Sequence, residues 1–275
     1  MIRLVASDLD GTLLNNEWKI SPQNCEAIRQ TVAKGVKVTL ATGRMAASTR
    51  KYAVQLGLDV PLITYHGALV EQALSREVLY RKVVPVELAA ELLEILVKKG
   101  VHAQFFIKDR VFVRKHNAYS EYYSRMSGLQ VEEADIYKLL QKEPEGCEKI
   151  LCIGEEELLA KTIAELKEIY RDKLHFTSSS PNFYDMLNPE VNKGAALKAL
   201  AERWEIVPAE VLALGDSLND IEMITYAGIG VAMENAHPEL KKVADYITAS
   251  NEQDGVAKAL AKFVLTDKAD GPKSR

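Results

Sequence analysis

Apolar runs and amphipathic stretches alternate along the first 82 residues of the chain. The run over residues 2–7 predicts a buried strand, and Ser21 followed by Pro22 predicts a helix start, because both residues are favoured at those positions. VKVTLATGR and VPLITYHG predict two further strands, separated by a helix over residues 45–57. This order is typical of a parallel sheet that helices cover on both faces.

The pattern changes after residue 82 and returns at Lys193, where KGAALKALAERW predicts a helix and VLALGDS a strand. Between them, VELAAELLEILVKKG predicts an amphipathic helix, VHAQFFIKDRVFVRK two strands around a Lys-Asp turn, and residues 155–170 another helix. KLHFTSSSPNFYDMLNP predicts extended structure. We therefore predict a doubly wound, Rossmann-like α/β core over residues 1–82 and 187–275, with an α+β domain over residues 83–186 inserted into it.

Composition narrows the class of protein. The chain has 275 residues, 47% of them hydrophobic, and a formal net charge of −4, so neither nucleic acid nor an acidic membrane is expected as a partner. No apolar stretch approaches the roughly 18 residues of a membrane span, and the N-terminal run is not typical of a signal peptide. Three cysteines without CxxC spacing do not suggest disulfides or a zinc site. We expect a reduced cytoplasmic protein, a monomer or small homo-oligomer, with a disordered polar tail from about Thr266.

Polar residues follow the predicted strands at their carboxyl ends, where open α/β sheets bind ligands. Each group alone is common: a DxD at a strand end is more often a solvated turn or a helix cap. Their convergence on one rim from four distant segments is what favours a site. The candidates are Asp8 and Asp10 after the first strand, Thr42, Gly43 and Arg44 after the second, Gly215, Asp216, Asn219 and Asp220 after a later strand, and Lys193 at a helix start.

The types of residue at this rim favour one chemistry. Clustered carboxylates repel one another unless a cation neutralises them, and an all-oxygen cluster suits a hard divalent ion, Mg2+ above all. A hydroxyl, backbone amides and a lysine suit a phosphate group. Metal, phosphate and an exposed carboxylate together favour phosphoryl transfer through a phospho-aspartate.

Four segments resemble the motifs of a known family. DLDGTLL at 8–14, TLATGR at 39–44, VNKGAAL at 191–197 and LGDSLNDIEM at 214–223 are similar to the four motifs of the haloacid dehalogenase (HAD) superfamily of phosphohydrolases, in matching order and spacing. The insert resembles the α/β cap of the class IIB, Cof-like branch. The resemblance covers nearly the whole chain.

The resemblance implies a role for each candidate. Asp8 would be the nucleophile and a Mg2+ ligand, and Asp10 would be the general acid/base, with its backbone carbonyl on the metal. Asp216 would be the second carboxylate on Mg2+, and Asp220 would orient the surroundings of the metal. The phosphoryl group would be bound by Leu9, Thr42, Gly43, Lys193 and Asn219.

Several residues keep two interpretations. His66, where relatives often have Asn before Gly-Ala, could contact substrate or close a turn, and Arg44 could reach substrate or brace its loop. The insert would close over the core and select the substrate. Its candidates are Arg110, Arg114, Lys115, Asn182 and Tyr184, although any single one of them is more often a solvated surface residue.

The resulting hypothesis is a Mg2+-dependent phosphatase that hydrolyses a small phosphorylated metabolite, either a sugar phosphate or a phosphorylated cofactor precursor, through an aspartyl phosphate. The alternative with the same chemistry is a phosphomutase. Two alternatives from other classes are a receiver-like signalling protein, disfavoured by the position of Asp8 and by the insert, and a catalytically silent metabolite binder, disfavoured by the complete set of acids.

Overall fold

The computed structural model describes residues 1–266, so most of the predicted tail lies outside the described residues. The first part of the chain follows the predicted order, with an additional hairpin after the third strand. The side chain of Ser21 caps the first helix by accepting a hydrogen bond from the backbone N–H of Asn24 at 3.1 Å. The elements are β1 (Leu4–Ser7), α1 (Pro22–Ala33), β2 (Lys37–Leu40), α2 (Ala46–Leu56), β3 (Pro61–Thr64), β4 (Leu69–Gln72) and β5 (Val78–Arg81).

The middle of the chain contains more elements than the pattern predicts. The predicted turn between two strands is confirmed at Lys108 and Asp109, whose positive φ angles of 49° and 59° are typical of a tight hairpin. The elements are α3 (Val86–Lys98), β6 (His102–Ile107), β7 (Arg110–Val113), α4 (Ala118–Ser127), β8 (Val131–Glu133), α5 (Ile136–Lys142), β9 (Lys149–Ile153), α6 (Glu156–Tyr170), β10 (His175–Ser180) and β11 (Phe183–Leu187). Of these, α4, β8, α5 and β9 were not predicted.

The last part of the chain returns to alternating helices and strands. This part also contains short 3-10 turns at Pro208–Glu210, Leu218–Asp220 and Asn251–Gln253 and a π-helical turn at Ala261–Leu265. Another 3-10 turn, at Tyr65–Gly67, lies between β3 and β4. The elements are α7 (Lys193–Arg203), β12 (Val211–Gly215), α8 (Ile221–Tyr226), β13 (Ile229–Ala232), α9 (Pro238–Val243), β14 (Tyr246–Ile247) and α10 (Gly255–Leu260). None of the helices that the described residues form is long and apolar enough to cross a bilayer.

Three sheets organise these elements. A parallel sheet has the strand order β14-β13-β12-β1-β2, which places the ends of β1 and β12 side by side. The predicted third strand, β3, lies beside the end of β2 through a single parallel bridge, but its ladder pairs antiparallel with the unpredicted hairpin β4-β5. The third sheet, here called the cap sheet, has the order β10-β11-β9-β6-β7-β8 and is antiparallel except between β7 and β8.

The two faces of the cap sheet pack against different neighbours. Phe105 and Ile150 join the apolar cluster that contains α3 and α6, whereas Phe106 and Leu151 join a cluster with Tyr65 of the core. This alternation is expected because successive side chains of a strand point to opposite faces. One face of the cap sheet therefore lies over the core, which supports an inserted domain, although its boundaries at 83 and 186 remain a prediction.

Gly194 allows α7 to approach α8 closely, since a Cβ at this position would lie 2.5 Å from both the carbonyl carbon and the carbonyl oxygen of Glu222. We expect Gly194→Ala to lower the free energy of unfolding by about 1–3 kcal/mol, because the backbone must move to admit the methyl group. Urea unfolding measures the change. Lys198→Ala, at an exposed position of the same helix, is the control and should stay within about 0.5 kcal/mol of the original protein. An unchanged midpoint for Gly194→Ala would contradict the close packing.

Candidate active site

A buried lysine joins two of the predicted acids. Lys193 begins α7 and is 1% exposed, and its Nζ donates to Asp8 Oδ1 and to Asp220 Oδ1, each at 2.6 Å. Burial alone lowers the pKa of Lys193, but Asp220 and Asp8 outweigh it and raise that pKa above its ordinary value. The ammonium group is therefore charged and fixes the carboxylate of Asp8 at the end of β1.

The carboxylates of Asp220 and Asp216 differ in the groups that they accept hydrogen bonds from. Asp220 Oδ2 accepts hydrogen bonds from the backbone N–H groups of Asp216 at 3.0 Å and Ser217 at 3.1 Å. Both oxygens of Asp220 are thus engaged within the protein. Asp216 accepts from the hydroxyl of Thr12 at 3.0 Å and from that of Ser217 at 3.2 Å, both neutral donors, so Lys193 offsets its charge only in part.

These carboxylates form a group that fits a divalent cation. One oxygen from each of Asp8, Asp216 and Asp220 lies within 4.8 Å of the others. Burial, followed by Asp220, raises the pKa of Asp216 to about 6, and burial raises the pKa of Asp8 well above its ordinary value against the effect of Lys193. Three carboxylates with one ammonium carry an excess of negative charge, which a hard cation with oxygen ligands would neutralise. Both oxygens of Asp220 already accept hydrogen bonds within the protein, so Asp220 holds Lys193 and the backbone of Asp216 in place.

Asp10 lies beside this group rather than in it. Arg44 holds its carboxylate by two hydrogen bonds, from Nε to Oδ2 at 2.7 Å and from Nη2 to Oδ1 at 2.5 Å. The guanidinium group also lies over the rings of Trp18 and Tyr52, 5.1 and 5.6 Å from their centroids. Arg44 therefore braces Asp10 on the wall of the site, a contact that neither interpretation of this residue included.

His66 lies at the same rim, in contact with Asn219. It is 3% exposed, with Nε2 2.8 Å from Asp185 Oδ2 and Nδ1 3.2 Å from the side-chain nitrogen of Asn219. Burial lowers its pKa, with Asp185 opposing, so the ring is neutral near pH 7. Its backbone N–H donates to the carbonyl of Thr42 at 2.9 Å, which ties the 3-10 turn to the loop after β2. His66 thus combines a turn position with polar contacts at the site.

A cavity of about 460 Å³ opens between the parallel sheet and the cap sheet. Lys193, Leu9 and Asp220 do not line it, and their side chains are almost completely inaccessible. The predicted residues on its core side are Asp8, Asp10, Thr42, Gly43, Arg44, His66, Asp216 and Asn219. From the other side it is lined by Tyr122, Tyr123, Met126, Ser127, Leu129, Lys149, Leu151, Phe183 and Asp185.

The five candidates proposed for the insert do not line this cavity. Arg110 pairs with Glu132, Arg114 and Lys115 are exposed, and Asn182 donates to the carbonyl of Gly154 at 2.9 Å. Tyr184 packs on the opposite face of the cap sheet, with the α3 and α6 cluster. Sequence reasoning instead missed Lys149 and Asp185. Their only signal is a charged residue at an apolar strand, as in KILCI and FYDML.

The family model described as haloacid dehalogenase-like hydrolase matches residues 5–260. The chain is 33% identical over 266 residues to YcsE of Bacillus subtilis, named a 5-amino-6-(5-phospho-D-ribitylamino)uracil phosphatase, and the match covers 96% of each chain. Among solved structures it is similar to a haloacid dehalogenase-like hydrolase from Bacteroides thetaiotaomicron, with a TM-score of 0.87, 28% identity, and 95% of this chain and 99% of that chain covered. It is also similar to the HAD subclass IIB sugar phosphatase BT4131, with a TM-score of 0.82, 25% identity, and 96% and 100% covered.

The fold and the site define a phosphate-ester hydrolase of the α/β class, whose site lies at the carboxyl ends of a parallel sheet and beneath the cap sheet. The chain belongs to the haloacid dehalogenase superfamily, in its class IIB, Cof-like branch. The resemblance of the four motifs and the predicted α/β fold class are both confirmed.

The excess negative charge around Asp216 is expected to lower the free energy of unfolding of the metal-free protein. Because the pKa of this carboxyl is raised in the folded state, its ionised form opposes folding above about pH 6 and has no such effect below about pH 4. In EDTA at pH 7.5, we expect Asp216→Asn to raise the free energy of unfolding by about 1–3 kcal/mol. A divalent cation should then stabilise the original protein more than the variant.

Urea unfolding with EDTA and with MgCl2 measures both effects. Asp172→Asn removes an exposed carboxylate and is the matched control, expected to change neither quantity. A metal-free variant that is less stable than the original protein would show that the charge of Asp216 does not oppose folding.

Proposed function

We propose that this chain is a Mg2+-dependent phosphatase that hydrolyses a small phosphorylated metabolite through an aspartyl-phosphate intermediate. One observation carries the proposal. The carboxylate of Asp8 is fixed by Lys193 at 2.6 Å, beside Asp216, and lines a cavity of about 460 Å³. A buried carboxylate would ordinarily protonate, and Lys193 together with a cation would keep it ionised and nucleophilic.

Mg2+ would be held by Asp8, Asp216 and the backbone carbonyl of Asp10, where it would neutralise the negative charge that phosphate and carboxylates bring together. The donor set of carboxylates and other oxygen ligands is the one that this ion prefers. Asp220 would hold Lys193 and the backbone beside Asp216 in place, since both of its oxygens already accept hydrogen bonds from them.

The residues would then act in two steps. The free oxygen of Asp8 attacks phosphorus, the ester P–O bond breaks, and the leaving alkoxide takes a proton from Asp10. In the second step Asp10 removes a proton from water, which attacks phosphorus, releases inorganic phosphate and regenerates Asp8. Lys193 offsets the negative charge at the attacked group. The other groups that would grip the phosphoryl oxygens are the hydroxyl of Thr42, the backbone amides of Leu9 and Gly43, and the amide of Asn219.

The substrate class follows from the cavity and from the relatives. A volume of about 460 Å³ admits a small metabolite rather than a phosphoprotein segment. Two relatives are named for such molecules, the sugar phosphatase BT4131 and the ribitylaminouracil phosphatase YcsE. We therefore retain a sugar phosphate or a phosphorylated cofactor precursor as the substrate. A cytoplasmic location and a monomeric or small homo-oligomeric state remain predictions.

Asp8→Asn tests the covalent route. We expect this variant to lose at least about 10⁴-fold in kcat/KM, because the neutral amide is not a nucleophile, while it still binds substrate. A screen of phosphate esters with Mg2+, with Asp8→Asn as the control for contaminating activity, measures the loss. A true substrate should reach about 10⁴ M⁻¹s⁻¹ or more with the original protein. Substantial turnover by Asp8→Asn would exclude the aspartyl phosphate.

Water labelled with ¹⁸O distinguishes hydrolysis from a phosphomutase reaction. We expect one labelled oxygen in each released phosphate, because water attacks phosphorus in the second step. Asp10→Asn should slow turnover by about 10²- to 10⁴-fold, the usual contribution of a positioned acid/base. Mass spectrometry of the phosphate gives the label. Unlabelled transfer to a second hydroxyl of the sugar would support the mutase instead.

A further inference from the structure

Two buried charges of the cap sheet reach across the cavity to the core. Lys149 of β9 is 4% exposed, and its Nζ donates to the carbonyl of Gly43 at 3.1 Å and pairs with Asp185 Oδ1 at 3.1 Å. Asp185 of β11 is 5% exposed and contacts His66 Nε2 through Oδ2 at 2.8 Å. Lys149, Asp185 and His66, here called the polar bridge, thus connect the two sheets.

The strand register explains why these two charges meet. Asp185 lies opposite Leu151 in the antiparallel pair β11–β9, and Lys149 is two residues from Leu151. Side chains two residues apart share a face, so Lys149 and Asp185 are diagonal neighbours. Leu151 belongs to the cluster that faces the core, which puts both charges on that face.

A buried ion pair is weak evidence for stability, because an apolar pair of similar volume is often as stable or more so. The partners of the bridge indicate another purpose. It ends on the carbonyl of Gly43 and on the side chain of Asn219, two of the residues whose amides would grip the phosphoryl oxygens under the proposed function. Each end of the bridge therefore contacts a residue that must be oriented for binding.

The hydrogen bonds also fix the orientation of the Asn219 side chain. The ionised carboxylate of Asp185 can only accept, so His66 Nε2 carries the ring proton and Nδ1 is the acceptor. The side-chain nitrogen of Asn219 must then face His66, and its second N–H stays available for a phosphoryl oxygen. Through the hydrogen bonds Asp185–His66 and His66–Asn219, the carboxylate on the cap sheet thus fixes the orientation of the Asn219 amide in the core.

The position of His66 is equally constrained by Gly43. A Cβ on Gly43 would lie 2.3 Å from His66 Cε1 and 2.5 Å from Nε2, so the imidazole ring packs directly on the backbone of the loop after β2. Lys149 holds the same residue from its carbonyl. The loop is therefore held between a ring and an ammonium group.

We propose that Lys149 and Asp185 are positioning residues, which orient Gly43 and, through His66, the amide of Asn219 for phosphate binding. The grip on phosphate is then complete only when the cap sheet lies over the core. This inference rests on the proposed function, since it assigns phosphate binding to Gly43 and Asn219.

Inorganic phosphate, the product, tests the proposal in the presence of Mg2+. We expect Asp185→Asn and Lys149→Met each to weaken phosphate binding by about 10- to 100-fold, because a misoriented group costs that much at a site of this kind. The readouts are the inhibition constant of phosphate and direct titration calorimetry. Lys99→Met and Glu165→Gln are the matched controls. Lys99 Nζ and Glu165 Oε2 form an ion pair at 2.5 Å, and neither residue lines the cavity. They should stay within about twofold.

Three further variants separate positioning from folding. Lys149→Met combined with Asp185→Leu leaves no unpaired buried charge, so it should unfold at a urea concentration close to that of the original protein and still bind phosphate weakly. Lys149→Arg keeps a donor and should bind phosphate better than Lys149→Met. In a His66→Asn background, Asp185→Asn should have little further effect, because the path through His66 is already broken.

The outcomes distinguish this proposal from the proposed function. Unchanged phosphate binding in Asp185→Asn and Lys149→Met, with an active original protein, would overturn the positioning role alone. Additive effects of His66→Asn and Asp185→Asn would overturn the path through His66. If the original protein neither bound phosphate nor hydrolysed any ester, the proposed function would fall, and the positioning role with it.

Discussion

The ammonium group of Lys193 is the interaction on which the site depends. It lies buried between Asp8, which follows β1 directly, and Asp220, which ends the 3-10 turn Leu218–Asp220 after β12, while Lys193 itself begins α7. Removing one partner of such a group leaves an uncompensated buried charge and costs about 3–5 kcal/mol. Three segments that are far apart in the chain are therefore held in one arrangement, and the cavity floor is fixed before any ligand arrives.

The same arrangement explains why the core could be predicted from the sequence. In a parallel sheet, residues at the carboxyl ends of strands meet at one edge whatever the details of the strand order. Asp8, Thr42 and Asp216 each follow a short apolar run directly, so their positions needed only the strand ends and not the packing. Lys193 was predicted in the same way, from the start of a helix rather than from the end of a strand. What remained open was the detail of contact, such as the engagement of Arg44 with Asp10.

The cap sheet was less predictable for a physical reason. Lys149 precedes the continuous apolar stretch ILCI, which is buried on both faces and has no alternation to show which side faces the cavity. The charged residues that attracted attention, Arg110, Arg114 and Lys115, lie instead where a sheet meets solvent, as charges usually do. Finding Lys149 and Asp185 required the register between β9 and β11, which depends on contacts that no local pattern encodes.

The pairing of charges within the polar bridge also limits which side chains of the cap sheet are free to contact a substrate. Lys149 is already paired with Asp185 and hydrogen-bonded to Gly43, so its charge is not free to hold a second charged group of a substrate. A substrate carboxylate would have to compete with both partners. The side chains left to contact the leaving group include Tyr122, Met126 and Trp18, which are 48%, 43% and 52% exposed at the cavity. Apolar contacts of this kind are not directional, so under the proposed function they would select by shape and area, while the charged floor would select the phosphate.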